Sequence, residues 1–137
     1  MARHVVASAR EIPPGARKIV SVEGREIGVF NLDGAFHALL NRCPHQGGAL
    51  CRGTVTGLVT SREPGRFDYH RPGEMLKCPW HGWEFDIRTG QSWCDPARTF
   101  VRHYPVAVEP GTALVEGPYR AETFPVSVEE DYIVLDL

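Results

Sequence analysis

Two short segments of the chain concentrate side chains that can hold a metal. The first is Cys43-Pro44-His45-Gln46-Gly47-Gly48 and the second is Cys78-Pro79-Trp80-His81-Gly82-Trp83. Each sets a thiol and an imidazole two or three positions apart, so both ligands of one turn can converge on one centre. Glycine follows each histidine closely and lets the backbone turn where a side chain would obstruct it. Proline follows each cysteine; it fixes φ and stiffens the loop, and it donates no hydrogen bond. Two thiols and two imidazoles suit two chemistries. One is a closed tetrahedral zinc site, and the other is an iron–sulfur cluster of mixed ligation.

The surrounding chain reads as short strands that would carry these loops. Residues 16–22 form a β-rich run ending at the turn signal Glu23-Gly24, and residues 25–32 form a second. Asp33-Gly34 is a strong hairpin turn because both residue types tolerate positive φ, and residues 35–40 are its partner strand, leading directly to Cys43. After the second Cys/His group, residues 84–87 read as a strand, Arg88-Thr89-Gly90 as a turn and residues 91–93 as a return. Residues 101–108 read as one strand, and residues 123–137 as two strands around Glu129-Glu130-Asp131. No segment of ten or more residues shows a helical period, so the fold class is all-β, built of short antiparallel strands.

Composition agrees. With 137 residues, 42% of them hydrophobic, the chain can bury one core of ordinary domain size. Its 14 Gly and 11 Pro exceed average usage and favour turns over long helices. A net charge of −2 disfavours a large nucleic-acid footprint. Residues 1–15 hold no apolar run of signal-peptide length, and no stretch suits a membrane span, so a cytoplasmic location is expected. In that compartment the four cysteines are read as metal ligands before disulfides. Cys51 and Cys94 are expected to be ordinary buried thiols, and His4, His37, His70 and His103 surface or strand residues.

Cys-x-His followed by Cys-x-x-His, each cysteine followed by proline and the second histidine by glycine, resembles the Rieske iron–sulfur proteins. The likeness extends through the flanking strands over about 100 of the 137 residues. It implies stacked antiparallel sheets with two cluster-binding loops, about 42–50 and 77–85, at one tip of a single domain, 1–137. It implies one [2Fe–2S] cluster per chain, with Cys43 and Cys78 on the inner iron and His45 and His81 on the outer one. Two ferric ions and two sulfides sum to +2, so two thiolates bring the oxidised cluster to 0, whereas four would bring it to −2. An electron enters the neutral centre more readily, and Rieske potentials accordingly span about −150 to +300 mV against about −400 mV for plant-type ferredoxins. High-potential respiratory members have hydroxyl side chains after the second histidine, where this chain has Trp83 and Phe85. They also have a loop disulfide, which Trp80 precludes here. The chain therefore resembles the ferredoxins and oxygenase domains of ring-hydroxylating systems, with Trp80 and Trp83 shielding the cluster from water.

The function implied is one-electron transfer from a reductase to an oxygenase, without catalytic activity of its own. A Rieske subunit whose catalytic iron lies on another chain and a zinc-binding interaction module are the alternatives. A catalytic mononuclear iron commonly takes two histidines and a carboxylate, and His103 is the one histidine after His81. The sequence departs from the family between His45 and Cys78, where an inserted loop or hairpin of about 58–76 carries Arg62, Arg66 and Arg71. It is expected to be solvated, or to dock an acidic partner beside the cluster.

Overall fold

The computed structural model describes residues 3–44, 47–79, 83–92, 100–112 and 130–137, with backbone alone for 58–63 and 66–72. Its strands are β1 (Arg3–Ser8), β2 (Arg17–Val22), β3 (Arg25–Leu32), β4 (Ala35–Leu40), β5 (Thr54–Glu63), β6 (Arg66–Lys77), β7 (Glu84–Asp86), β8 (His103–Tyr104), β9 (Val106–Pro110) and β10 (Asp131–Asp136). Three antiparallel sheets result, ordered β1-β10-β9, β2-β3-β4-β8 and β5-β6-β7. The fold class is all-β. Among the described residues no helix is long and apolar enough to cross a membrane.

Backbone contacts divide the chain into two compact units, residues 1–38 with 103–137 and residues 39–102. In the first unit both expected hairpin turns form. Glu23 and Gly24 have φ of 50° and 77°, and Asp33 and Gly34 have 53° and 93°. Two successive positive φ values match the right-handed twist of the strands they join. Asn31 secures the second turn: its Oδ1 accepts the Gly34 N–H at 2.7 Å, and its Nδ2 donates to the Ile12 carbonyl at 2.8 Å. The core of this unit includes Ile27, Val29, Phe30, Ile133 and Leu135, each at most 2% exposed. Each such side chain contributes about 1.5–3 kcal/mol of burial.

One expectation is corrected in this unit, and one strand is added. Residues 101–108 are not one strand: β8 ends at Tyr104 and β9 begins at Val106 in a different sheet. Pro105 has no N–H for a ladder, and the chain changes sheet there. The register Arg3↔Asp136 to Ser8↔Tyr132 makes residues 3–8 a strand that the local pattern does not announce. Residues 93–99 and 113–129 lie outside the described residues, and with them the expected strand over 123–129.

The second unit contains both cysteine loops. Its core includes Leu39, Leu50, Met75, Leu76, Phe85 and Ile87, all 0% exposed. The 58–76 segment is the outer part of a long hairpin, β5 against β6, and Met75 at its end belongs to the core rather than to solvent. The pairs Thr54↔Lys77 and Glu63↔Arg66 bound this hairpin. Nine steps of about 3.3 Å amount to about 30 Å along β5. The turn at Pro64-Gly65 is thus at the opposite end of the strands from Cys78, and so are the backbone positions of Arg62 and Arg66. Arg71 falls where the register shifts between the pairs Thr56↔Met75 and Leu58↔His70.

Candidate metal centre

Both expected thiols are buried, Cys43 at 1% exposure and Cys78 at 3%, and neither is in a disulfide. Each heads a loop closed by the same backbone bond. The Cys43 N–H donates to the Gly48 carbonyl at 2.8 Å, and the Cys78 N–H donates to the Trp83 carbonyl at 2.8 Å. Both closures span five positions, although the cysteine-to-histidine spacing differs by one. His45, Trp80 and His81 lie outside the described residues. Among the described residues no group of three or more His, Cys, Asp or Glu side chains is assembled as a metal site.

The first loop is reached from β4 and is held largely by specific groups. The Gly47 N–H donates to the Cys43 carbonyl at 2.7 Å, and Gly47 has φ of 81°. Left-handed backbone of this kind favours glycine. Asn41 Oδ1 accepts the Cys51 N–H at 2.8 Å, and Cys51 Sγ donates to the Leu39 carbonyl at 3.6 Å. Cys51 is a fully buried thiol, as expected, whereas Cys94 lies outside the described residues.

The second loop joins β6 to β7, with Lys77↔Glu84 as the last pair before it. Beyond β7 the chain turns tightly: the Gly90 N–H donates to the Asp86 carbonyl at 2.7 Å, and Asp86 Oδ1 accepts the Arg88 N–H at 2.9 Å. Trp83 is half-buried and Phe85 fully buried. Gly53 packs its backbone against the strand end that leads into the second loop. A Cβ on it would stand 1.9 Å from the Lys77 carbonyl oxygen, the residue just before Cys78.

Gly53 and Asn41 were not recognisable as parts of the site. Asn41 did carry a signal, since asparagine ahead of an irregular segment readily bonds nearby backbone. For Gly53 the reason is the backbone of a residue 24 positions later. Of the remaining histidines, His103 is exposed, His4 and His37 are half-buried in strands, and His70 lies in β6.

Two buried thiols, neither in a disulfide and each heading a loop with the same closure, suit the sulfur-ligated half of an iron–sulfur cluster. Comparison with known proteins gives the class: the chain belongs to the Rieske [2Fe–2S] domain family, matched over residues 2–105. It carries one cluster of that type. Among its relatives is the ferredoxin component of the naphthalene 1,2-dioxygenase system of Pseudomonas aeruginosa, 29% identical over 77% of this chain and 86% of the relative. The biphenyl dioxygenase ferredoxin subunit of Pseudomonas sp. strain KKS102 is 29% identical over 80% of this chain and 86% of its own. The fold is that of the Sphingomonas yanoikuyae B1 ferredoxin, with a TM-score of 0.62 and 22% identity over 98% of both chains.

Proposed function

We propose that this chain is the ferredoxin component of an oxygenase system, passing single electrons from a reductase to an oxygenase, with its cluster held by Cys43, His45, Cys78 and His81. The observation that carries the ligand assignment is the pair of buried cysteines heading two loops with the same closure. Each loop places a histidine in the chain shortly after its cysteine. When bound, the cluster supplies reversible one-electron chemistry.

The chain's own residues set the conditions for it. Burial of Cys43 and Cys78 keeps water from the two sulfurs. The closing bonds limit movement of the loop backbone as the charge of the centre changes. Trp83 and Phe85 offer no hydroxyl to a sulfur, which favours a midpoint in the lower part of the Rieske range. Likeness to ferredoxin components over most of their length supports the carrier reading. The whole chain, 1–137, is read as one functional domain, working in the cytoplasm.

Purified protein made under iron-replete, anaerobic conditions is expected to hold two irons and two acid-labile sulfides per chain and to absorb visible light. His81→Ala is expected to lose that absorption and much of the folding stability, because cluster binding contributes to folding. A variant that keeps the visible bands would reject His81 as a ligand. A colourless native protein holding one zinc would reject the electron-carrier reading.

A further inference from the structure

The two backbone units differ in charge. Residues 1–38 with 103–137 hold six Lys and Arg against eleven Asp and Glu, a net of −5. Residues 39–102 hold nine against six, a net of +3. The overall −2 conceals this segregation. In the first unit several cations meet acids: Arg3 lies against Glu109 and Asp136, Arg10 against Glu130, and Lys18 against Glu11.

The cations beside the cysteine loops are arranged differently. Arg42 precedes Cys43, is exposed, and lies over the first loop, its Nε 3.5 Å from where a Gly47 Cβ would stand. Lys77 precedes Cys78 and is exposed, and its carbonyl presses on Gly53, which follows the exposed Arg52. Among the described residues none of these three side chains has an ion-pair partner. Nearby acids are partly engaged: Glu74 pairs with Arg88, and Asp86 accepts the Arg88 N–H. Glu84, opposite Lys77 in the ladder, offsets one of the three charges.

We propose that Arg42, Arg52 and Lys77 form a basic docking rim around the cysteine loops, which receives the acidic face of a protein redox partner. This rests on the electron-carrier reading above. A carboxylate-rich surface is attracted to the rim, so encounters at the cluster loops are enriched. The attraction weakens as salt shortens the screening length to about 10 Å at 0.1 M.

The sign of a salt effect tests this. Reduced holoprotein is mixed with hexacyanoferrate(III); one electron passes and hexacyanoferrate(II) forms. If the overall charge, −2 from the chain and −1 from the reduced cluster, governed the encounter, the rate would rise with salt as like charges are screened. The rim makes it fall. Two triple variants separate position from total charge: Arg42→Gln/Arg52→Gln/Lys77→Gln and Arg3→Gln/Arg10→Gln/Lys18→Gln. Each removes three positive charges and takes the chain from −2 to −5. The rim variant is expected to react about tenfold more slowly at low salt and the control within about twofold of the native protein. A native rate that rises with salt, or equal slowing in both variants, overturns the proposal.

A second readout needs no electron transfer. Fluorescein-labelled deca-aspartate should bind the native chain at low salt and lose affinity in the rim variant but not in the control. Equal binding to both variants would overturn the rim. Failure of the carrier reading would appear separately, as protein without iron or acid-labile sulfide, and the peptide result would still decide the rim.

Discussion

In the loop at 43–48 the closing N–H belongs to Cys43 and the carbonyl to Gly48; at 78–83 they belong to Cys78 and Trp83. The second closure continues a ladder that already runs Met75↔Asp86, Leu76↔Phe85, Lys77↔Glu84. Repetitive strand pairing carries the chain to it, and many side chains would serve equally well. The first loop leaves β4 for a short 3-10 turn, Leu50–Arg52, and among the described residues no ladder joins its two arms. Individual groups hold it instead: the Asn41 amide, the Cys51 thiol and the left-handed Gly47. Equivalent closures can thus be reached by general backbone pairing or by particular side chains. The second route concentrates sensitivity in a few non-ligand positions.

Substitutions can break this contrast. Gly53→Ala should have the largest effect, because the space for a side chain there is taken by the Lys77 carbonyl just ahead of the second loop. Its Cβ meets a backbone oxygen rather than a flexible side chain. A destabilisation of about 3 kcal/mol is expected, comparable to overpacking elsewhere. Thermal unfolding of the holoprotein should show a midpoint lower by about 10 °C. An unchanged midpoint would mean that the loops do not depend on that approach.

Asn41→Ala should act on the first loop alone. It leaves the Cys51 N–H without its acceptor, at a cost of about 1–2 kcal/mol. Amide hydrogen exchange should quicken at Cys51 and stay unchanged at Cys78. Equal acceleration at both amides would show that the two loops open together and would erase the distinction. Gly47→Ala should have the smallest effect, about 1 kcal/mol, from the positive φ. The Arg42 guanidinium leaves ordinary contact space at that position, so the cost is conformational. Gly47→Asn should recover part of it, since asparagine tolerates left-handed backbone. Denaturant midpoints that place Asn no better than Ala would point to crowding instead.

Much of this was legible before any coordinates. The turns at Glu23-Gly24 and Asp33-Gly34 form where expected because tolerance of positive φ is a property of the residues themselves. The two Cys/His segments stand out because few chemistries use a thiol and an imidazole so close together. Less legible were elements whose partners are distant. β1 is a strand because β10, more than a hundred residues later, pairs with it. The division at Pro105 depends on which sheet each side joins.

Residue type and spacing alone determined the chemistry on offer, two thiols and two imidazoles with turn-forming neighbours, because ligand identity is local. Only the tertiary structure decided that Gly53 must lack a side chain. Only there, among the described residues, do Arg42, Arg52 and Lys77 stand beside the cysteine loops with no ion-pair partner, while both signs of charge alternate along the chain. Such facts are relations between distant segments, and backbone contact and electrostatic fields act through space rather than along the sequence.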